Sequence, residues 1–401
     1  MILKAKSIVL GVTGGIAAYK AAALCSHLVQ AGAAVDVILT DAACEFVAPL
    51  TFQALTHRPV VTQMFALLAE TEIGHVSLAK RADLLIIAPA TANTIAKLAA
   101  GMADNMLTTT ALATRAPILL APAMESQMWA NPLTQANVVR LCQMHDTVLV
   151  GPGEGRLASG ASGVGRMAEP EEILDAACWT LARHGALAGR HVMVTAGGTM
   201  EPLDPVRALS NRSSGKMGYA LARAARDRGA QVTLISTTGR PAPYGARLIE
   251  VETAAEMEAA VLAALPEADV LLMAAAVADY RPASVAEQKI KKGEGGLALE
   301  LVRTTDILLK VAGLRRPSQV IAGFAAETEK VIENAQDKLR RKRLDLIVAN
   351  DARQAMGSEM NQVTLIEADG RSEDLPLLPK DEVAERILDR VVALLGGQGG
   401  A

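Results

Sequence analysis

The sequence predicts an α/β protein of two Rossmann-like domains with mostly parallel sheets. Apolar runs of strand length alternate with stretches of helical period, the order that builds a parallel sheet covered by helices. A strand, Gly-Gly turn, helix and strand open the chain, and the same succession restarts near residue 190. The 401 residues, at roughly 100 to 200 per domain, leave room for two or three separately cored domains.

The first unit reads as strand Ser7 to Val12, turn Thr13-Gly14-Gly15, helix Ile16 to Ala31 and strand Ala33 to Leu39. Further strands are predicted at Leu84 to Ala88, Ile118 to Ala121 and Val148 to Val150, with a closing helix over Pro170 to His184. Gly185 to Arg190 is expected as a short linker, which divides the chain into domains 1–189 and 190–401. The second half reads as strand Val192 to Thr195, turn Ala196-Gly197-Gly198, helix Lys216 to Arg228 and strand Val232 to Ile235. Strands at Val270 to Ala274, Val320 to Gly323 and Leu346 to Ala349 follow, with helices Ala254 to Ala264, Thr328 to Arg343 and Asp381 to Leu395.

Composition narrows the function. Hydrophobic residues make up 51% of the chain, which excludes a disordered or fibrous protein. With 40 Lys and Arg against 43 Asp and Glu, and only four Phe, four Tyr and two Trp, it lacks the basic groove and stacking rings of a general nucleic-acid binder. The longest apolar run, Val270 to Ala278, is closed by Asp269 and Asp279 and is far short of the roughly 20 residues of a membrane span. Lys4 and Lys6 precede a Gly-rich turn rather than a cleavage pattern, so the start reads as a strand and not a signal peptide. Cys25, Cys44, Cys142 and Cys178 form no C-x-x-C pair, so a reduced, cytoplasmic setting is expected.

Both Gly-Gly turns lie between a strand and a helix, where bare amides and the helix dipole favour phosphate, although a tight turn alone also needs glycine. Neither is a G-x-G-x-x-G, which disfavours a nicotinamide dehydrogenase. The tips Ala88-Pro89-Ala90-Thr91-Ala92-Asn93 and Ala121-Pro122-Ala123-Met124 end neighbouring strands in small residues. They point to one crevice at the carboxyl edge of the sheet. His75, alone among few titratable neighbours, reads from its spacing as surface or satisfied core before it reads as catalytic.

These residues carry a resemblance. Thr13-Gly14-Gly15-Ile16-Ala17, His75-Val76-Ser77-Leu78, Ala88 to Thr94, Ala103-Asp104-Asn105, Pro122-Ala123-Met124 and Gly165-Arg166-Met167 resemble the flavin-dependent phosphopantothenoylcysteine decarboxylases. Thr195 to Thr199, Glu201 to Arg207, Ser210 to Gly218, Ala276 to Tyr280 and Lys289 to Lys292 resemble the phosphopantothenate–cysteine ligases. Their order is similar to the bifunctional coenzyme A biosynthesis proteins over nearly the full chain. The resemblance implies an N-terminal flavoprotein domain, a C-terminal nucleotide-binding ligase domain and a homo-oligomer acting on small molecules: 4'-phosphopantothenate, cysteine and CTP.

For the ligase half, the resemblance implies that CTP activates the carboxylate as an acyl-cytidylate, which the amine of cysteine then attacks. Asn211 and Lys289 are the implied catalytic residues. Asp279, Lys289, Thr305, Asp306, Ile307, Leu308, Phe324, Lys338 and Lys342 are implied around the nucleotide, with Mg2+ or Mn2+ accompanying the triphosphate through ligands the sequence leaves unknown. About four negative charges on a triphosphate require converging cations, and Lys338, Arg340, Arg341, Lys342 and Arg343 supply them unless they form a solvated helix face.

For the decarboxylase half, the resemblance implies FMN lying against Gly14, Gly15, Ile16, Thr40, Ala90, Thr91, Asn93 and Met106. The flavin serves as electron sink for the substrate thiol while the adjacent carboxylate leaves. His75 is the implied catalytic histidine, and Met124 belongs with the substrate site. Two positions depart from the family pattern. Glu125 stands where its substrate-binding asparagine is expected and Ser159 where its acidic cysteine is expected. An ionised Glu repels a carboxylate and a serine hydroxyl is a far weaker acid than a thiol. Three outcomes follow: another group or water delivers the proton, with Glu125 protonated or aimed elsewhere; the half stops at the oxidised enethiol; or it is an inactive flavin scaffold beside a working ligase. The retained His75 and flavin motifs favour the first.

Overall fold

The computed structural model describes residues 2–64, 74–292, 296–351 and 358–397. Contacts divide it into two compact units, 1–182 and 183–401.

The first unit is a six-stranded parallel sheet in the order Val60–Val61, Ala34–Leu39, Ser7–Val12, Leu84–Ala90, Ile118–Pro122 and Thr147–Leu149. Its central strands are apolar on both faces because helices cover both: Ile8, Leu10, Leu84 and Ile86 are fully buried, as are Leu85 and Ile87 between them. Helix Ala18–Gln30 buries Ala21, Cys25, Leu24 and Leu28, two pairs at the i, i+4 spacing of a single face, and packs on helix Pro170–Ala182. From the first strand the chain builds outward on one side, then returns to build on the other. The loops that leave Val12 and Ala90 therefore diverge and open a crevice at the carboxyl edge. Pro89, which has no N–H to give the ladder, sits where the register with Ile118–Pro122 slips. A Gly-rich hairpin, Gly153–Arg156 with Ser162–Arg166, was not foreseen because its sequence lacks the apolar alternation of a strand.

The second unit repeats the plan with eight strands, ordered Arg247–Glu250, Gln231–Ser236, His191–Ala196, Val270–Met273, Val320–Glu327, Leu346–Asp351, Thr364–Glu367 and Ser372–Asp374. The first six run parallel, and the last two are joined on by antiparallel pairing, so Thr364–Glu367 alone is reversed. Strand alternation sorts the core into two layers. Val192, Val194 and Leu272 face helices Lys216–Arg226 and Lys380–Gly397. Met193, Leu271 and Ile321 face helices Ala254–Ala264, Ile307–Leu314 and Val331–Arg341. The segment Gly185 to Arg190, expected as a linker, is folded into this unit. Leu187 is 1% exposed and its N–H donates to the Arg228 carbonyl at 2.7 Å. The helix expected from Thr328 starts at Val331, because the preceding strand runs on to Glu327. Two further hairpins, Met200–Asp204 with Arg207–Ser210 and Tyr280–Pro282 with Leu301–Arg303, stand apart from the main sheet. Among the described residues no helix is long and apolar enough to cross a membrane.

Gly218 sets how closely helix Lys216–Arg226 lies on the sheet, since a Cβ there would be 2.5 Å from Ala196 Cβ and 2.7 Å from the Thr195 carbonyl oxygen. Gly218→Ala is expected to destabilise this unit by about 1–3 kcal/mol. Gly313→Ala, in a helix where a Cβ meets nothing within 4 Å, is expected to be neutral or stabilising by up to about 1 kcal/mol. Urea denaturation of the two variants checks both.

Candidate functional site

In the first unit the crevice opens into a cavity of about 1050 Å3, lined by the Thr13–Ala17 turn, Thr40 to Ala42, Thr91 to Thr94, Ala123 to Glu125 and part of the Gly-rich hairpin. The two strand tips are tied across its floor. Thr13 Oγ1 donates to the Pro89 carbonyl at 2.7 Å and accepts from the Thr91 N–H at 3.2 Å. Thr91 in turn caps helix Ala92–Ala99 by accepting from the Thr94 N–H. A Cβ on Gly14 would lie 2.4 Å from Ala42 Cβ, whereas on Gly15 its nearest neighbour is Thr91 Cγ2 at 3.8 Å. Glycine at these positions keeps the turn low and leaves bare backbone facing the cavity.

Of the residues expected against the flavin, Gly14, Gly15, Ile16, Thr40, Thr91 and Asn93 line this cavity, as do Met124 and Glu125 from the substrate set. Ala90 and Met106 do not. Both are buried in the hydrophobic core of the unit, behind the tips rather than on them. His75 sits half-buried in the first turn of helix Gly74–Arg81 and is not part of the cavity wall. The sequence reading did not assign Lys97, which lines the cavity and holds Asp104 at 2.6 Å.

The two departures from the family pattern meet. The Met124 N–H donates to the Gly165 carbonyl at 3.0 Å, and a Cβ on Gly165 would be 2.2 Å from the Met124 oxygen, so the hairpin docks directly on this strand tip. Its turn, with Gly160 at φ +89°, brings Ser159 Oγ to donate to Glu125 Oε2 at 2.8 Å, while Ser126 Oγ donates to Oε1 at 3.1 Å. The Ser159 hydroxyl, with help from Ser126, holds the Glu125 carboxyl below its ordinary range. Glu125 is therefore an anion at neutral pH, and the expectation that it carries the proton itself is not supported by its surroundings.

In the second unit a cavity of about 410 Å3 opens over the carboxyl ends of strands Val270–Met273 and Val320–Glu327, beside the start of helix Lys216–Arg226. Asn211, Asp279, Thr305, Asp306, Ile307, Leu308, Phe324, Lys338 and Lys342, all expected here, line it together. Lys338 and Lys342 are one helical turn apart and point inward, whereas Arg340, Arg341 and Arg343 are exposed. The basic run is thus half site and half solvated face. Lys338 Nζ donates to the Phe324 carbonyl at 2.6 Å, and Lys342 pairs with Asp306 at 2.8 Å. Burial, then the neighbouring Lys342 charge, pushes the Lys338 amine below its ordinary range. Asn211 Nδ2 donates to the carbonyls of Ala276 and Val277 at 3.1 and 3.2 Å. Both amide protons are then used, so the group left to a ligand is Oδ1, an acceptor.

Lys289 is exposed and does not line this cavity, and neither do Lys291 and Lys292. The sequence reading did not assign Lys216, Asn350, Asn361 and Lys380, which do line it. Lys216 was legible in principle, because it follows Gly215 at the N-terminus of a helix. The other three come from distant segments with no motif between them. Among the described residues, no group of three or more His, Cys, Asp or Glu side chains is placed to hold a metal ion.

Two family models match the chain, Flavoprotein over residues 2–181 and the DNA/pantothenate metabolism flavoprotein C-terminal domain over residues 187–395. The protein is thus a flavoprotein unit followed by a pantothenate-metabolism unit. It is 47% identical to the coenzyme A biosynthesis bifunctional protein CoaBC of Bacillus subtilis (strain 168), with 98% of each chain covered. Identity to the protein of the same name from Vibrio cholerae serotype O1 is 46%, over 96% of this chain and 98% of that one. For that of Mycobacterium bovis it is 46%, over 98% and 97%. The chain belongs to this family of bifunctional coenzyme A biosynthesis proteins, enzymes with a ligase and a decarboxylase activity.

Replacing Ser159 by Ala removes the largest interaction that holds Glu125 down. The Glu125 carboxyl is expected to titrate at higher pH in Ser159→Ala than in the wild type, read by carboxyl carbon NMR. An unmoved titration would show that the pair does not form in solution.

Proposed function

We propose that domain 1–189 binds FMN and decarboxylates phosphopantothenoylcysteine, and that domain 190–401 uses CTP to join cysteine to 4'-phosphopantothenate. The observation that carries the ligase reading is the convergence of Lys338 and Lys342 on a cavity that also holds Asp279, Asp306 and Asn211. Two ammonium groups on one wall offset the triphosphate charge as pyrophosphate departs. A divalent ion enters with the triphosphate as part of the substrate. Asn211 Oδ1 accepts from the amine of cysteine and aims it at the activated carbonyl, which is a positioning role.

The flavin reading rests on fit. The cavity is large, Gly14 and Gly15 expose backbone, and helix Ala92–Ala99 starts on its floor beside Thr91, where amides suit a phosphate. Gly14, Gly15, Thr40, Thr91 and Asn93 would hold the cofactor, whose bound form supplies an electron sink for thiol oxidation. The chain's own part is to orient the substrate and to place a hydroxyl, Ser159, whose proton is shared with an anionic Glu125. With Glu125 ionised, its carboxylate serves as proton acceptor through Ser159 and does not bind a substrate carboxylate directly. His75, outside its own unit's cavity wall, is assigned to the thiol step by resemblance alone. A homo-oligomer in the cytoplasm completes the reading, and the four free cysteines suit a reducing compartment.

A mass-spectrometric assay with phosphopantothenate, cysteine and each nucleoside triphosphate tests this. CTP is expected to give a product that has lost carbon dioxide. A product that keeps its carboxylate with flavin bound would leave a ligase beside a half that stops early or is inactive. A second expectation follows from Lys338. Bound triphosphate favours the charged amine and raises its pKa, so between the free and bound values binding takes up a proton and affinity falls as pH rises. Calorimetry in two buffers of different ionisation enthalpy reads that uptake, and Lys338→Arg is expected to abolish it.

A further inference from the structure

Lys289 lies outside the cavity, yet the backbone beside it is held from both sides. We propose that Asp204 is a positioning residue for the ligase reaction, fixing the segment that carries Lys289 by gripping the peptide of Ile290. The proposal rests on the reading of Lys289 as a catalytic residue.

Asp204 ends the first strand of hairpin Met200–Ser210, and its carboxylate is 2% exposed. Oδ1 accepts from the N–H groups of Val206 and Arg207 at 2.8 and 2.9 Å, which shapes the turn. Oδ2 faces away from the turn and accepts from the Ile290 N–H at 3.1 Å. Arg207, whose Nε lies 3.3 Å from Asp204 Oδ2, donates through Nη2 to the Ile290 carbonyl. The backbone donor and acceptor of one residue, Ile290, are therefore both taken, and the carboxylate and guanidinium that take them are themselves paired. The Ala286 N–H adds a bond to the Leu203 carbonyl at 3.0 Å, so the segment is attached to the hairpin at two points.

A latch positions only if its mount is rigid, and the hairpin is. Glu201 is buried and accepts from the Ala254 N–H at 2.9 Å at the start of a helix, and the Met200 N–H donates to the Glu252 carbonyl at 2.9 Å. The far end of the hairpin leads into Asn211, whose amide rests on the Ala276 and Val277 carbonyls inside the cavity. One short hairpin thus spans from the cavity to the peptide after Lys289. Burial opposes the charge on Asp204, but the amides of Val206, Ile290 and Arg207 outweigh it and keep the carboxyl below its ordinary range. The carboxylate that makes the grip is therefore ionised at neutral pH.

Asp204→Asn in the full-length, flavin-loaded protein is the discriminating change. It keeps an acceptor for the turn and sets an NH2 against the Ile290 N–H. Three readouts are taken: hydrogen exchange of the Ile290 amide, tryptic cleavage after Lys289 relative to Lys291, and the kinetics of pyrophosphate release. The wild type is expected to protect the Ile290 amide and the Lys289–Ile290 bond. In Asp204→Asn cleavage after Lys289 is expected to speed up, and kcat for pyrophosphate release to fall about 10- to 100-fold, while the KM for CTP stays within about twofold. Free exchange of the Ile290 amide in the wild type would overturn the proposal without any variant. Faster cleavage with an unchanged kcat would overturn it too, as would a rise in KM with a lowered melting temperature, the mark of a merely structural residue. Lys289→Gln separates the two readings. An unchanged rate in that variant removes the role of Lys289 and the proposal with it, whereas a slow Lys289→Gln beside a normal Asp204→Asn overturns the proposal alone.

Discussion

The reversal of strand order beside the first strand of each unit is the constraint on which the rest depends. Neighbouring loops that leave the sheet in opposite directions cannot cover each other, so the carboxyl edge stays open there and backbone faces a cavity. The residues that border it are then restricted by space. Gly14 must pass under Ala42, Gly198 under the Asn211 carbonyl, and Gly218 must let a helix settle on Thr195 and Ala196. A side chain at any of these positions collides with a neighbour at under 3 Å. In the first turn glycine serves the packing at Gly14 and leaves the cavity side bare at Gly15, so the two explanations offered by the sequence are not alternatives there, whereas Gly197 and Gly198 serve the packing alone.

Much of this was legible without coordinates. The main parallel strands could be read because they are continuous apolar runs, as strands buried on both faces must be. Helix Ala254–Ala264 has the bounds that its apolar pattern predicts, and in the structure a capping box between Thr253 and Glu256 fixes its start. The hairpins escaped notice, since Gly153–Arg156 and Arg207–Ser210 are polar or glycine-rich and owe their shape to pairing across a turn. Cavity residues inside motifs, such as Thr91 and Asn211, could be named in advance. Asn350, Asn361 and Lys380 could not, because only the closing of the sheet brings their segments to one wall. The run Lys338 to Arg343 shows what sequence alone cannot sort. Charge is visible in the letters, but which of those charges point inward depends on the phase of the helix.

The positions of Glu125 and Ser159 change the meaning of two substitutions that seemed separate. Read one at a time, each removes something: a neutral amide that tolerates a carboxylate, and an acidic thiol. Read as a hydrogen-bonded pair, they hold an ionised carboxylate beside the cavity, a charge where the family pattern has none. On the proposed decarboxylase reading, a substrate carboxylate would be repelled from this charge and would approach by another side of the cavity. Lys97 and Arg166 line that cavity and carry the opposite sign.

Lys338 has a consequence outside catalysis. An amine held below its ordinary range by burial carries more free base at a given pH than a lysine in water, and free base is what attacks an electrophile. The same desolvation that makes the residue a strong partner for an anion makes it open to covalent capture by an aldehyde or activated ester that fits the cavity. A bound triphosphate would shield it by restoring its charge. If triphosphate binds as proposed, the reactivity of this residue would report occupancy of its own site, a chemical footprint that needs no change to the sequence.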